Sequence, residues 1–389
     1  MKTVKVGNIA KIFNGYAFKS PEYSDDPDGG FQVIRITNVQ NGYISNDNQK
    51  FIKLSNKALE RFVLAEGDIL VSLTGNVGRF GRIKKENLPA VLNQRVGKVI
   101  IKSKEVFPDY LFHILNSNVV ESELLGKGKG IAQKNIGSLD IENIEIPLPP
   151  LEDKKRIVKI LDQADALRQK RKQAIELLDN YLKSVFWKMF ENSINDSATY
   201  QTIGKTTDFI DYRGKTPKKS DSGIPLITAK HVKKGFFSFD PKEYITEEKY
   251  NEIMTRGFPR PNDVLFTTEG ATLGNVCRIP LHIDKFGVGQ RLITLQCKDC
   301  LTSEYLHFIL LNVKIRLEIF KQATGSAAQG IRSAIFYKIK IPIPPKKLQE
   351  RFSVIVQKTE SLKQKMLAQS AEMENQFQTL MQKAFKSSL

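Results

Sequence analysis

The sequence predicts an α+β chain made by tandem duplication: a β-rich globular domain, a long α-helix, then the same pair again. Three observations predict it. A single offset of 195 carries Asp68 onto Asp263, Gly75 onto Gly270, Tyr110 onto Tyr305 and Pro147 onto Pro342. Two Pro-Pro pairs, Pro149-Pro150 and Pro344-Pro345, each open a long amphipathic stretch. Each stretch also carries an apolar row that needs a partner, and the other stretch can supply it. The two helices are therefore expected to pair as an antiparallel coiled coil, giving the chain a pseudo-two-fold symmetry.

In chain order, residues 1–147 form the first domain, 148–192 the central helix, 193–342 the second domain and 343–389 the C-terminal helix. GDILVSLTGNVG matches NDVLFTTEGATLG, NQRVGKVI matches GQRLITLQ, YLFHILNS matches YLHFILLN, and IENIEIPLPP matches FYKIKIPIPP. VIRIT, DILVSL and VGKVII, with PLITA, DVLFTT and RLITLQ in the second copy, are rich in β-branched residues and bounded by Gly, Asn and Asp, as strands are. PDYLFHILNSN and SEYLHFILLNVKIRLEIF read as short helices. Polar loops bearing glycine lie at residues 74–82, 126–135, 211–220 and 323–332. Loops held by a rigid scaffold are where binding residues concentrate.

Prolines fix an extended entry to each long helix and cannot continue a helix from upstream. Glu152 and Asp153 follow where negative charge favours a helix N-terminus. A three-four alternation then sets the expected seam: Ile157, Ile160, Leu167, Leu178 and Val185 on the first helix, with a second row at Leu161, Ile175, Leu182 and Met189. On the second helix it runs through Phe352, Ile355, Leu362, Met366, Met373 and Leu380. The polar segment 191–200 is expected to break the first helix. At 1.5 Å per residue each helix is roughly 60 Å long, a reach of roughly 17 base pairs of duplex.

Composition narrows the partners. A net charge of +18 and a pI near 9.6 favour a polyanion such as nucleic acid. MKTVKVGNIAKIF lacks the apolar core of a signal peptide, and no run approaches a membrane span, so a cytoplasmic protein is expected. Three cysteines make no disulfide framework. Cys297-Lys-Asp-Cys300, with Cys277, His282 or His307, could suggest zinc. The matching stretch Lys102 to Glu105 has no cysteine, however, and a domain that folds without metal in one copy needs none in the other. No metal and no cofactor are expected. IGKT and RGKT end like phosphate-binding loops, but Thr199 and Phe209 stand where the upstream glycines belong. The Pro-Pro pairs lie in LPPL and IPPK, without the polar first residue and following aromatic that an amino-methyltransferase uses. No catalytic residue is expected.

The ordered set closely resembles the specificity subunit of type I restriction-modification systems: NGYAFKSPEY, VIRITNV, GDILVSLTGNVG, VLNQRV and IPLPPLEDKKRIV, then DYRGKTPKKS, PLITAKHV, NDVLFTTEGATLG, GQRL and IPIPPKKLQERFSVIV. Essentially the whole chain takes part. The resemblance implies a non-catalytic subunit whose two target-recognition domains each read half of a bipartite asymmetric site in double-stranded DNA. It implies that the helices set the spacer and carry two methyltransferase subunits, to which nuclease-translocase subunits add. A free-standing bipartite DNA-binding protein without methyltransferase partners is the alternative.

Residues suited to base edges are Asn76, Arg79, Asn93, Gln94 and Arg95 in the first domain, and Arg213, His231, Glu269, Gln290 and Arg291 in the second. Because both copies keep Gln-Arg while reading different bases, a structural role fits Asn93, Gln94 and Gln290 as well as readout does. Lys127, Lys129, Lys134, Lys215, Lys218, Lys219 and Lys230 suit phosphates. The basic clusters Lys154 to Arg156 and Arg168 to Lys172 fit a solvated helix face.

Overall fold

The computed structural model describes residues 3–28, 30–54, 56–127, 135–212, 216–325 and 329–385. By packing, the chain divides into two units: residues 1–172 with 368–389, and residues 173–367. Each unit thus takes one half of each long helix.

Alternating and continuous apolar runs pair into the same sheets in both units. A four-stranded antiparallel sheet orders Ala10–Asn14, Val96–Ile101, Ile69–Ser72 and Phe80–Arg82 in the first unit. In the second it orders Thr207–Asp211, Leu292–Cys297, Val264–Thr267 and Val276–Arg278. A three-stranded sheet pairs Phe31–Ile34 in parallel with Ala90–Leu92 and antiparallel with Phe51–Ile52. Its counterpart pairs Ile224–Ile227 with Gly287–Val288 and Tyr244–Ile245 in the same senses. Thr3–Lys5 pairs with Glu145–Pro147, and Tyr200–Thr202 with Lys340–Pro342, so each domain is closed by a strand just before its long helix. The predicted helix at 303–320 is two, Ser303–Leu311 and Val313–Lys321. They part at Asn312, whose side chain accepts from Lys314 N at 2.9 Å and caps the second.

The long helices span Leu151–Asn195 and Lys346–Phe385. The first therefore outruns the expected break by several residues. Ile194 is buried with Phe190, and the turn comes at Asp196, whose carboxylate caps Ala198 N at 3.0 Å. Within each unit the two helices pack antiparallel. In the first unit Ile157, Val158 and Leu161 share a core with Phe377, Met381 and Phe385. In the second, Leu182, Phe186 and Phe190 share one with Phe352 and Val356. Each such fully buried side chain contributes about 1.5–3 kcal/mol of transfer free energy.

The seam differs from a strict three-four reading at specific residues. Ile157, Phe352 and Met366 are buried, and Ile160, Leu178, Val185, Ile355, Met373 and Leu380 are half-buried. Leu167 and Leu362 are not seam residues, being 59% and 48% exposed. Beside each, a cation occupies the inward position. Arg168 lies over the Phe377 ring at 4.0 Å and reaches Glu374 at 3.2 Å. Lys363 meets Asp179 at 2.6 Å. Arg168 is thus part of the packing and not of a solvated face, because its guanidinium both stacks on the Phe377 ring and finds an acid. Phe186, Phe190, Phe377 and Met381 fix the register.

Each domain is also fastened to its helix half by polar contacts. In the second unit Glu304, 4% exposed, accepts from Ser353 Oγ at 3.0 Å and Gln357 Nε2 at 3.2 Å, both on the long helix. Arg278 bridges Glu304 to Glu360. In the first unit His113 Nε2 lies 2.7 Å from Asp162 of the helix, and Lys154 Nζ donates to the Glu105 carbonyl at 2.8 Å.

Candidate nucleic-acid interface

In both domains the ends of the central strands bring the same loops together. The strand Ile69–Ser72 runs into a turn at Thr74–Gly78, and Val264–Thr267 into one at Thr268–Gly274. Gly75 and Gly270 occupy the left-handed region, at φ +71° and +81°, where a side chain would be strained. Leu73 N donates to the Arg95 carbonyl at 3.0 Å, and Thr268 N to the Arg291 carbonyl at 2.9 Å. These bonds pin the Gln-Arg pair against the loop. Thr74 bridges to Asn135, and Glu269 to Gly330, bringing a third segment to the same edge. In the second domain Asp211, Tyr212, Thr268, Glu269, Gln290, Arg291 and Ser333 line a groove of ≈ 300 Å³.

Arg291 is the distinctive residue of this groove. Its φ is +67°, and the other positive-φ non-glycine residues among those described are asparagines, which tolerate that conformation. Its side chain is 60% exposed and its Nε lies 2.7 Å from Glu269 Oε1, itself 51% exposed. A guanidinium donor and a carboxylate acceptor therefore stand side by side at the groove. In the first domain Thr74 replaces the acid, and Gln94 and Arg95 are both exposed.

The remaining candidates sort by burial. Asn76 is exposed on its loop, while its carbonyl accepts from Ser72 Oγ. Arg79 is half-buried and its Nη1 donates to Gln40 Oε1 at 2.8 Å. Asn93 is buried: its Nδ2 reaches Tyr23 Oη at 3.3 Å and its Oδ1 accepts from Arg95 N at 3.3 Å, so it builds the turn that presents Gln94 and Arg95. Gln290 accepts from Thr216 Oγ1 at 3.1 Å.

His231 is corrected outright. It is fully buried, its Nδ1 accepting from Thr228 N at 2.9 Å and its Nε2 lying 2.7 Å from the Pro241 carbonyl. Burial pulls its pKa down, against the opposing pull of that carbonyl and of Glu243. It holds a loop together and is shielded from solvent.

Lys218 is exposed, whereas Lys219 and Lys230 converge on buried Glu243 at 2.7 and 3.3 Å. Burial pushes the Glu243 carboxyl up, but the two lysines outweigh it and hold its pKa below the ordinary value. Lys127 ends the helix Asn118–Lys127. Lys129, Lys134, Arg213 and Lys215 lie outside the described residues. Sequence reasoning missed the hairpins Val39–Ile44 and Val232–Phe237 beside these loops, although their NGY and KGF signals are legible. Cys277 is buried on a strand and Cys297 hydrogen-bonds with Ser303 Oγ at 3.8 Å. Burial raises the Cys297 thiol to about 12.

A family model for the type I restriction modification DNA specificity domain matches twice, over residues 1–177 and 202–370. The chain belongs to that family. Among its relatives is the specificity subunit of the type I restriction enzyme MjaVIII from Methanocaldococcus jannaschii, 26% identical over 370 residues that cover 88% of this chain and 82% of that protein. The EcoKI specificity subunit of Escherichia coli K12 is 20% identical, covering 99% and 88% of the two chains. The fold is similar to that of a type I specificity subunit from M. genitalium, with a TM-score of 0.55 at 15% identity over 99% and 96% of the chains. A chain from a study of type I restriction-modification assembly and conformational transition gives 0.57 at 19% identity, covering 100% and 98%. Among the described residues no helix is long and apolar enough to cross a membrane.

Proposed function

We propose that this chain is the DNA-recognition subunit of a type I restriction-modification complex. The observation that carries this reading is the repeated edge, in both family domains, where a Gly-bearing turn and a Gln-Arg pair are fixed by the same backbone bonds. Gln94 and Arg95 serve one half-site; Gln290, Arg291 and Glu269 serve the other. Arg suits guanine O6 and N7, and Glu suits the cytosine amino group, so the second domain is equipped for a G·C pair. The excess of positive charge supplies the salt-dependent affinity for phosphates.

The long helices set the spacer and dock methyltransferase subunits, which perform methylation; nuclease-translocase subunits add cleavage. Exposed apolar residues beside the seam support that docking: Leu167 in the first unit, and Leu177, Tyr181, Val354 and Leu362 in the second. Apolar side chains left out on two paired helices suit further helices laid alongside. The chain works in the cytoplasm and needs no cofactor of its own.

The test is to isolate the complex from its host and map methylated adenines in host DNA with and without this chain. A co-purifying methyltransferase and a split asymmetric motif that vanishes on deletion are expected. A chain that purifies alone, with every methylated motif intact after deletion, would instead favour a free-standing DNA-binding protein.

A further inference from the structure

Beside each reading edge stands a two-residue β-hairpin that the sequence expectations left without a role. In the first domain Val39 pairs with Ile44 and Gln40 with Tyr43, leaving Asn41-Gly42 as the tip. In the second, Val232 bridges to Phe237 and Lys233 N donates to the Phe236 carbonyl at 2.9 Å, leaving Lys234-Gly235 as the tip. Both tip glycines are left-handed, at φ +88° and +95°. Both donate to the same strand of their own domain, Gly42 N to the Phe80 carbonyl at 2.8 Å and Gly235 N to the Val276 carbonyl at 2.9 Å.

Each hairpin is also tied to its reading loop by the loop residue that follows Gly78 or Gly274. Arg79 Nη1 donates to Gln40 Oε1 at 2.8 Å, and Asn275 Nδ2 donates to the Val232 carbonyl at 3.1 Å. The residue after each tip glycine is an aromatic ring turned out to solvent: Tyr43 is 46% exposed and Phe236 60%. Alternation along the strand sends the next residue inward, so Ile44 is buried and Phe237 packs on the core around Val232. The hairpin's packing is thus met without the outer ring.

We infer that Tyr43 and Phe236 are DNA wedges, one in each recognition domain, that insert against a base step of the half-site and unstack it. Three points favour DNA as the occupant. Neither tip carries a carboxylate: one reads Gln-Asn-Gly-Tyr, the other Lys-Lys-Gly-Phe, with Lys234 exposed beside the ring. Phenylalanine has no donor or acceptor for base edges, so its contact with a duplex is stacking or insertion, as apolar wedges make in the minor groove. The same ring recurs at the same place in two domains whose neighbouring reading residues differ. The inference rests on the DNA-recognition reading above and adds a deformation step to it.

The test uses the full chain with its methyltransferase and duplexes carrying its mapped motif, with 2-aminopurine placed singly at positions other than the methylated adenines. Wild-type complex should brighten the probe at one step in each half-site. Tyr43→Ala should abolish the signal in one half-site and Phe236→Ala in the other. Each should weaken binding by roughly tenfold, the scale of one lost base–aromatic stack. Tyr43→Phe and Phe236→Trp should retain both signals, and unchanged melting of the alanine variants verifies their fold. Alanine variants that bind and brighten like wild type would overturn the inference and leave DNA recognition standing. Variants that keep DNA binding but lose the methyltransferase would overturn it in favour of a protein-docking tip. Wild-type complex that ignores the motif would remove the recognition reading and the wedge together.

Discussion

At the scale of single residues, the Gln-Arg pairs divide labour between backbone and side chain. Asn93 is buried to shape a turn, while Gln94 and Arg95 beside it are exposed. Arg291 is held in a left-handed conformation that costs an ordinary residue of order 1 kcal/mol or more. Its carbonyl is held by Thr268 N at 2.9 Å, which leaves a side chain 60% exposed at the groove. Arg95→Ala and Arg291→Ala should therefore leave folding intact and each relax discrimination in one half-site only, by about 1–3 kcal/mol per base pair. Binding measured on duplexes mutated in one half at a time checks this. Discrimination lost in both halves from one substitution would contradict the division.

At the scale of elements, the long helices show what a sequence reveals and what it withholds. Their existence and antiparallel pairing were legible, because Pro-Pro entries and apolar periodicity are local signals. The register was not fully legible. Leu167 and Arg168 are neighbours, and hydrophobicity alone puts the leucine inside. Arg168 is inside because Phe377 and Glu374 both receive its guanidinium, and only the folded chain brings the three together. The candidate binding loops were legible as loops through their glycines and polar residues. His231 was misread because no local signal separates a buried histidine from an exposed one. The register has a measurable consequence. Leu161→Ala should cost about 2–5 kcal/mol of stability, since the side chain is fully buried. Leu167→Glu and Leu362→Glu should cost within about 0.5 kcal/mol, as surface changes do. Their effect should appear instead as lost co-purification of the methyltransferase. Denaturant melts and pull-downs on the three variants separate seam from docking face.

At the scale of the whole molecule, duplication gives each unit a complete set of parts: a four-, a three- and a two-stranded sheet, a candidate reading edge, and half of each long helix as its base. Because the helix pairing is antiparallel in both units, residues inserted where the units divide lengthen the helices without entering either domain. Seven residues keep the seam in phase, since the apolar row repeats on that period. Such an insertion between Lys172 and Gln173, matched by one between Leu367 and Ala368, should add about 10 Å to the paired helices. That length equals roughly three base pairs of duplex. Methylation mapping should then return the same bases in both half-sites with the spacer longer by about that amount. Insertion in one helix alone leaves its partner short and the seam mismatched, so it should lower stability and lose the motif. If the doubly extended chain kept its original spacer, the helices would not be the ruler, and the separation of half-sites would have to be set by the partner subunits.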